Sequence, residues 1–260
     1  MFQAKAKLIK NIEVAKNYYK ILLSCAQVAK AAKPGQFVNV KITNGYEPLL
    51  RRPFGVHRVR GENIEILFEV VGKGTKILSQ RKAGEYLDII GPLGNGFSIH
   101  NTQYTMLVAG GMGVAPLLFL AESLKNHKVT VLIGAKTKRQ ILCEKEFKEL
   151  GCEVKIATDD GSKGFKGYVS DLLKNLLSLP VRQAGAIGYR LSAIYGCGPL
   201  PMLKEVANIS KKYNIPAQVS LEEHIACGIG ACLGCVINTK DGYRRVCKEG
   251  PVFLADEISW

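Results

Sequence analysis

The sequence predicts an antiparallel β-barrel, a Rossmann-like parallel-sheet α/β domain and a small metal-binding module, in that order along the chain. Three observations support this fold class: short β-prone runs between turn residues near the start, alternating strands and helices in the middle, and four cysteines within 21 residues near the end. We place the three domains at residues 1–101, 102–217 and 218–260, a division that a length of 260 residues accommodates.

The first domain is predicted from β-prone runs that Gly and Pro separate. The runs Phe37–Ile42, Asn63–Val71 and Tyr86–Ile90 each end close to a turn signal, such as Gly91-Pro92 after the last of them. Regularly spaced short strands between turn residues are typical of small barrels and sandwiches. One short helix is expected within this domain, from Thr75 to Lys82.

From about residue 104 the pattern changes to strands that alternate with helices, which indicates βαβ units and therefore a parallel sheet. After Gln218 the helical periodicity is lost and Cys and Gly are enriched, which predicts a small module folded around a metal. The predicted strands are Thr105–Ala109, Val129–Gly134, Glu153–Thr158 and Ala193–Tyr195, and the predicted helices are Val114–Lys125, Cys143–Leu150, Tyr168–Leu177 and Leu203–Tyr213.

Composition limits the classes of function. The formal net charge is +14, but the lysines are spread along the chain, which favours a solvated surface over a nucleic-acid site, an acidic partner or phosphate-bearing ligands as its cause. The N-terminus lacks the pattern of a signal peptide, and the uncharged stretch Met106–Ala121 has 16 residues, fewer than a spanning helix needs. We therefore expect a soluble cytoplasmic protein with no membrane span and no nucleic-acid partner.

The cysteines near the C-terminus give the most specific signal. Cys227, Cys232, Cys235 and Cys247 have the spacing C-x4-C-x2-C-x11-C. Plant-type [2Fe–2S] proteins have C-x4-C-x2-C followed by a distant fourth cysteine, because two bridged irons need four thiolates and a tight loop must supply three of them. The glycines between the first three cysteines provide the backbone freedom that this loop needs.

Three other interpretations of these cysteines are less favoured. Structural zinc sites usually consist of two C-x2-C-like pairs, whereas this chain has one such pair and a solitary Cys247. The spacing also favours [2Fe–2S] over [4Fe–4S], and disulfides are disfavoured in a cytosolic protein. An iron–sulfur cluster is the preferred prediction, and a zinc module on a nucleotide-binding scaffold is the non-enzymatic alternative.

A glycine-rich turn indicates a nucleotide site. Gly110, Gly111 and Gly113 follow a predicted strand and open a predicted helix, which is the context in which backbone N–H groups bind a pyrophosphate. Pro116 occupies the third glycine position of G-x-G-x-x-G, so the turn alone does not exclude a plain strand–turn–helix corner. The basic stretch 134–139, where an acidic ribose contact would be expected, fits either a 2′-phosphate or a solvated loop, and the solvated loop is favoured.

Cys197, Gly198 and Pro199 end a late strand of the same domain. Ligands of open α/β sheets bind at the carboxyl ends of strands, so this thiol could pack near a nicotinamide. A lone cysteine is more commonly a buried structural residue, and composition favours that interpretation. The four histidines, at positions 57, 100, 127 and 224, are scattered and predict neither a catalytic base nor a metal ligand. No catalytic residue is predicted.

Two segments of the first domain are candidates for binding a diphosphate. Arg52, with Arg51 before it and Pro53 after it, opens a β run, and an arginine leading a strand can contact phosphate bidentately. Gly74 and Thr75 precede a short helix and form a second corner. A surface arginine and a plain turn are the alternatives, and the presence of both corners raises the cofactor interpretation to an even choice.

Together these segments resemble the electron-transfer subunits of class B dihydroorotate dehydrogenases, within the ferredoxin-reductase-like superfamily, over nearly the whole chain. The resemblance includes residues 34–38, 91–94 and 158–162, and the cluster loop 220–235 resembles that of the family closely, although His224 and Ile225 stand where Arg and Met are expected. The family's flavin motif is R-P-x-S/T, so Gly55 replaces a hydroxyl residue. The C-G-P motif of the superfamily lies beside the nicotinamide, which reverses the composition-based interpretation of Cys197.

The resemblance implies three cofactors and the residues that hold them. FAD would contact the barrel, NAD(H) the α/β domain and the cluster the cysteines. The implied FAD residues are Arg52, Pro53, Phe54, Gly55, Leu67, Phe68, Glu69, Gly74 and Thr75; the implied NAD residues are Gly110, Gly111, Gly113, Cys197, Gly198 and Pro199; the implied cluster ligands are Cys227, Cys232, Cys235 and Cys247.

The resemblance also implies an activity and a partner. Electrons would pass from NADH through FAD and the [2Fe–2S] cluster to, or from, a separate FMN-containing catalytic subunit that oxidises dihydroorotate in pyrimidine (UMP) biosynthesis, in an α2β2 heterotetramer. The alternative is the small reductase subunit of another NAD(P)H-linked iron–sulfur flavoprotein, of the ferredoxin:NADP or sulfide dehydrogenase type. Members of those families can replace one cluster cysteine by Asp, so four cysteines favour the dihydroorotate partner.

Overall fold

The computed structural model describes residues 1–99, 104–125, 127–178 and 191–260. His100 and the predicted boundary between residues 101 and 102 lie outside the described residues. Within the described ranges, the chain forms two seven-stranded sheets and a two-stranded hairpin. No helix among the described residues is long and apolar enough to cross a membrane.

The first sheet is antiparallel throughout, in the order β4-β3-β7-β1-β2-β6-β5. Its core consists of buried aliphatic side chains such as Ile21, Val38 and Ile64, which alternate with more exposed residues on several strands. The strands are β1 Phe2–Ala15, β2 Tyr18–Ser24, β3 Phe37–Lys41, β4 Arg52–Gly55, β5 Arg58–Arg60, β6 Asn63–Glu69 and β7 Tyr86–Leu93, and the helices are α1 Ala26–Ala31 and α2 Lys73–Ser79.

The second sheet has the order β11-β10-β9-β8-β12-β13-β16 and is parallel except at β16. The strands are β8 Tyr104–Gly110, β9 Lys128–Ala135, β10 Glu153–Thr158, β11 Phe165–Lys166, β12 Leu191–Cys197, β13 Ala217–Ser220 and β16 Val252–Leu254. The helices are α3 Val114–Ser123, α4 Glu144–Glu149, α5 Val169–Ser178 and α6 Leu200–Tyr213, and short 3-10 turns span Gly111–Gly113 and Lys138–Gln140.

This strand order creates a switch point between β8 and β12. The chain continues from β8 to β9 and β10 on one side, and from β12 to β13 on the other. Ligands of open α/β sheets bind in the crevice beside the carboxyl ends of strands at such a point. Both predicted nucleotide motifs follow these two strands. The predicted combination of an antiparallel barrel-type sheet and a parallel α/β sheet is confirmed.

The C-terminal segment joins the second sheet more closely than predicted. The boundary placed between residues 217 and 218 falls inside β13, and β16 adds a further strand at the sheet edge. These strands have four and three residues, too short for sequence periodicity to distinguish them from loop. Between them lies the hairpin of β14 Val236–Thr239 and β15 Gly242–Arg245. The helix predicted from Thr75 instead begins at Lys73 and ends at Ser79.

Candidate functional site

A cavity of about 1210 Å³ lies between the two sheets. Its wall combines residues from the first sheet, the phosphate loop, the end of β12 and the segment before the cysteine cluster. This volume suits a large organic cofactor together with a second ligand. All the residues predicted to bind FAD or NAD line this cavity except Gly74; their individual roles remain predictions. Those that line it are Arg52, Pro53, Phe54, Gly55, Leu67, Phe68, Glu69, Thr75, Gly110, Gly111, Gly113, Cys197, Gly198 and Pro199.

The two predicted diphosphate corners meet each other. A Cβ added at Gly74 would lie 3.2 Å from Nε of Arg52, so the missing side chain lets the guanidinium lie against this turn. Arg52 also donates from Nη1 to the Leu50 carbonyl at 2.8 Å, which orients its fork. The Thr75 hydroxyl accepts the backbone N–H groups of residues 71 and 72 at the start of α2. The Arg52 guanidinium therefore lies against the backbone of Gly74, and the Thr75 hydroxyl stabilises the turn before α2 through its hydrogen bonds.

Glycine is required at two positions of the phosphate loop for different structural reasons. Gly111 has a φ of +53°, a left-handed conformation that costs other residues free energy. A Cβ at Gly113 would lie 1.9 Å from the Cys197 carbonyl oxygen, so any other residue would force the backbone apart. Since Ala109 is paired with Cys197 across β8 and β12, the loop and the C-G-P motif form one continuous wall.

Cys197 is buried at the end of β12 and faces the cavity. Burial raises the pKa of its thiol strongly, the nearby Glu222 carboxylate raises it further, and a hydrogen bond with Ser220 opposes both. The thiol therefore stays protonated at neutral pH and offers a small uncharged surface. Cys197 is therefore buried, as composition predicts, and also part of the cavity wall, which is compatible with the position that the resemblance implies.

Sequence reasoning missed several residues of the cavity wall. Glu222 lines the cavity from the cluster segment, and burial raises the pKa of its carboxyl. Tyr18 lines it from β2, with its pKa raised by burial and by the Glu69 carboxylate. Tyr18 lies outside every motif, and Glu222 lies in the segment that resembles the family's cluster loop but is not among the predicted site residues. Each is identified only when strands distant in sequence are placed side by side.

The wall beyond β9 carries both signs of charge. Lys136 lines the cavity and is exposed to solvent, so the stretch 134–139 borders the cavity while its basic side chains are solvated, as the sequence favours. Asp159, directly after β10, lines the same region, so a carboxylate lies near the end of β9. Its backbone N–H donates to the Ala135 carbonyl at 3.1 Å, which ties the two strand ends together.

The four cluster cysteines occur as two pairs. Cys227 and Cys232 are hydrogen-bonded to each other, and Cys247 donates its backbone N–H to Sγ of Cys235 at 3.4 Å. Cys232 is exposed, Cys227 is half-buried and the other two are buried. All eight cysteines of the chain are free thiols. Two pairs of thiols are what two irons require.

The two cysteine pairs differ in the pKa of their thiols. Burial opposes ionisation of Cys227, but hydrogen bonds from backbone N–H groups of residues 229, 231 and 232 outweigh it and lower its pKa to about 6. Burial and the neighbouring Cys235 raise the pKa of Cys247 to about 12. Backbone N–H groups aimed at sulfur stabilise thiolates and tune cluster potentials. Among the described residues, no three His, Cys, Asp or Glu side chains are close enough to hold a single metal ion.

The cluster loop is attached to the first sheet. Asn39 of β3 donates from Nδ2 to the Cys227 carbonyl at 3.3 Å, and a Cβ at Gly228 would lie 2.7 Å from the same nitrogen. Asn39 is the partner of Pro53 across β3 and β4. The flavin motif and the first cluster ligand are thus linked through one buried asparagine. Arg245 fixes the far side of the loop by donating to the Gly230 carbonyl at 2.8 Å.

These residues fit the predicted groups. The paired thiols and the glycine turns suit a [2Fe–2S] cluster, and the cavity presents an oriented guanidinium where a dinucleotide diphosphate would bind. The phosphate loop has the steric form that a close backbone approach to phosphate requires.

Comparisons with known proteins agree with this architecture. Residues 222–259 match the iron–sulfur cluster binding domain of dihydroorotate dehydrogenase B, and residues 107–208 match the oxidoreductase NAD-binding domain. The chain is 42% identical to the dihydroorotate dehydrogenase B (NAD(+)) electron transfer subunit of Desulforamulus reducens, over 98% of this chain and 97% of that protein. It is 39% identical to the subunit of the same name from Fusobacterium nucleatum, over 95% of each chain.

Solved structures give the same fold. One described as an NADH-dependent reduced ferredoxin-NADP oxidoreductase, studied for flavin-based electron bifurcation, superposes with a TM-score of 0.87 at 30% identity, covering 99% of this chain and 90% of that one. A ferredoxin NADP+ reductase from Neisseria gonorrhoeae with bound FAD and NADP superposes with a TM-score of 0.69 at 15% identity, over 86% of this chain and 95% of that one, which shows the fold alone.

Proposed function

The chain belongs to the family of dihydroorotate dehydrogenase B (NAD(+)) electron transfer subunits, and from that membership we propose that it carries electrons from NADH through FAD and a [2Fe–2S] cluster to an FMN-containing catalytic subunit. That subunit would oxidise dihydroorotate in pyrimidine (UMP) biosynthesis. The chain is an oxidoreductase subunit of an electron-transfer system, with FAD, NAD(H) and an iron–sulfur cluster as its cofactors.

One observation carries this proposal. Asn39 holds the carbonyl of Cys227 while its strand partner Pro53 belongs to the flavin motif, so the predicted sites of the two redox groups share a wall. Neither site by itself requires the other. Their attachment through a single residue is what a relay between FAD and a cluster needs.

The chain's own residues bind and orient the groups. Arg52 would contact the FAD diphosphate, and the glycine loop would bind the NADH pyrophosphate at the start of α3. The protonated Cys197 would pack beside the nicotinamide without adding charge. When bound, FAD accepts the two electrons of a hydride and releases them singly to an iron–sulfur cluster. The cluster would be held by Cys227, Cys232, Cys235 and Cys247.

The surface around Cys232 supports a protein partner. Ile229, Leu233, Val236 and Tyr243 are exposed apolar side chains within or next to the cluster loop. Leu233, Val236 and Tyr243 also line an open hollow of about 570 Å³. Clustered exposed apolar residues mark interaction sites, and aromatic residues are enriched there. We place the catalytic subunit here, in a cytoplasmic α2β2 heterotetramer.

A second candidate is favoured by the structural comparison. The solved chain at a TM-score of 0.87 is described as an NADH-dependent reduced ferredoxin-NADP oxidoreductase, and it is 30% identical to this chain. A reductase subunit serving such an acceptor would use the same cavity and cluster. The higher identity of 39–42% to the dihydroorotate dehydrogenase subunits ranks the first candidate above it.

Co-expression with the FMN-containing dihydroorotate dehydrogenase from the same genome separates the candidates. We expect a stable complex that contains FAD, FMN and about two iron atoms per chain of this subunit, and that reduces NAD+ with dihydroorotate only when both subunits are present. Absence of a complex, together with NADH-dependent reduction of ferredoxin by the chain, would favour the second candidate. Colourless protein that holds zinc and no iron would exclude both.

A further inference from the structure

His57 is a fully buried polar residue to which the relay assigns no role. It lies between β4, which carries the flavin motif, and β5. Its backbone N–H donates to the Glu65 carbonyl at 2.9 Å, which fixes its main chain to β6 of the first sheet. The backbone of His57 is therefore part of the first sheet, next to the flavin motif.

The imidazole ring reaches the other half of the molecule. Its Nδ1 lies 2.9 Å from the carbonyl oxygen of Ala115. Because a carbonyl oxygen only accepts, Nδ1 carries the proton and donates it. Ala115 is the second residue of α3 and follows Gly113 of the phosphate loop by two positions. This hydrogen bond links the segment that follows the flavin motif strand to the main chain of the helix that the phosphate loop opens.

Core stability alone does not explain this side chain. Burial lowers the pKa of His57 to about 4, so the ring is neutral and its Nδ1–H remains a donor at physiological pH. Among the described residues, Nε2 has no hydrogen-bond partner. Burying an unpaired polar atom costs free energy that an apolar side chain of similar size would avoid. The directional contact to Ala115 is what distinguishes histidine at this position.

The surrounding ion pairs between the two halves join side chains to side chains and do not bond the main chain of α3. Arg58 pairs with Glu122 of α3, and Lys20 pairs with Glu146 of α4 at 3.4 Å. Gly55 also approaches Pro116 of α3, since a Cβ added at Gly55 would lie 3.9 Å from Cβ of Pro116. Long side chains such as those of Arg58 and Glu122 can change rotamer while they keep their hydrogen bond, whereas the short imidazole of His57 is bonded to a main-chain carbonyl and so acts directly on the backbone of α3. Other hydrogen bonds join the two halves elsewhere, such as that from Asn39 to the Cys227 carbonyl, but among the contacts of the described residues near the phosphate loop the His57 bond is the one that holds the main chain of α3.

We propose that His57 is a positioning residue that fixes the phosphate loop against the flavin motif, so that bound NADH and FAD are aligned for hydride transfer. This inference rests on the proposed function, because it needs both ligands in the shared cavity. Misplacement of reacting groups by about 1 Å can reduce a rate by about a hundredfold. His57 acts through the main chain of Ala115 and touches neither reacting atom.

A pair of similarly shaped substitutions tests this role. His57→Asn places an amide N–H near the position of Nδ1, whereas His57→Leu fills a similar space without a donor. In the complete complex we expect His57→Asn to reduce the flavin with NADH within about threefold of the parent rate, and His57→Leu to be slower by about tenfold or more. We also expect His57→Leu to weaken NAD+ binding and the long-wavelength charge-transfer absorption between nicotinamide and flavin.

Controls separate positioning from general damage. FAD content, iron content and flavin reduction by dithionite should be equal in both variants. Glu122→Gln, which weakens the neighbouring ion pair, should keep the parent rate and the charge-transfer band. If His57→Leu does not fold, His57→Met provides the donor-free side chain.

The outcomes also distinguish this inference from the proposed function. Equal rates and equal charge-transfer bands in His57→Asn and His57→Leu would overturn the positioning role, as would an equal loss in Glu122→Gln. Failure of the parent protein to bind FAD or to accept electrons from NADH would instead overturn the proposed function.

Discussion

The predicted cluster site and the cavity between the sheets differ in how their residues are distributed along the sequence. The predicted cluster site takes all four ligands from residues 227–247, with backbone N–H groups of the same segment aimed at sulfur. The cavity takes its wall from strands and turns spread between Tyr18 and Pro251, and no short segment is complete without the others. Changing one of the four cysteines should remove the whole cluster. Changing one residue of the cavity wall should only weaken the binding of FAD or NAD+, because many other residues still contact the ligand.

The largest effect is expected from a buried cluster ligand. Cys247→Ser removes one member of the inner thiol pair, and we expect iron content to fall to near zero and electron delivery to the partner to stop. NADH should still reduce the flavin, because the cavity does not depend on this thiol. Iron analysis and electron paramagnetic resonance of the dithionite-reduced protein measure the loss.

Cys143→Ser is the matched control, because Cys143 is a half-buried free thiol far in sequence from the cluster segment. It should keep full iron content. A Cys247→Ser protein with normal iron and delivery would contradict the assignment of this ligand.

This contrast explains what the sequence can predict. The cysteine spacing lies within one short segment, so the amino-acid sequence alone is enough to predict an iron–sulfur cluster, and its assignment to these four cysteines stays a prediction. The antiparallel and parallel sheets are also predictable, because their strands repeat with clear periodicity. By contrast, Glu222, Asp159 and His57 acquire their surroundings only when distant strands pack together, and β13 and β16 are too short for periodicity to reveal them.

In the cavity between the sheets, the phosphate loop should be the most sensitive part. Gly113→Ala places a Cβ 1.9 Å from the Cys197 carbonyl oxygen, so the loop must separate from β12. We expect NAD+ affinity to fall by about a hundredfold and the free energy of unfolding to fall by about 3 kcal/mol.

Gly111→Ala is the matched comparison in the same loop. Its Cβ would meet open space, and the left-handed conformation costs about 1–2 kcal/mol. Calorimetric NAD+ titration and thermal unfolding of both variants measure the difference. Equal effects of the two substitutions would show that the contact with Cys197 does not shape the loop.

Arg52 tests the flavin side of the cavity. Removing its guanidinium by Arg52→Ala should weaken FAD binding by about a hundredfold, because charge-assisted hydrogen bonds contribute about 1.5–3 kcal/mol each. Arg52→Lys keeps the charge but loses the planar guanidinium that can donate two parallel hydrogen bonds, so we expect FAD affinity to fall by about tenfold. Fluorescence titration of the apoprotein with FAD gives both constants. Unchanged affinity in Arg52→Ala would remove this residue from the flavin site.

The smallest expected effect is an increase in FAD affinity. Gly55 stands where the family motif has Ser or Thr, and a Cβ there would meet only Pro116 at 3.9 Å or more, an ordinary contact. Gly55→Ser should therefore fold normally and tighten FAD binding by about threefold, through one added hydrogen bond of about 0.5–1 kcal/mol. Weaker FAD binding in this variant would show that the flavin approaches the Gly55 backbone more closely than the contact distances allow for a side chain.

The most direct test of the relay is an anaerobic NADH titration of the complete complex, with the flavin and cluster absorption bands followed separately. We predict that NADH reduces both groups in the parent protein and only the flavin in Cys247→Ser. A cluster that stays oxidised in the parent protein while the flavin is fully reduced, although dithionite can reduce that cluster, would contradict electron passage from the cavity to the cysteines.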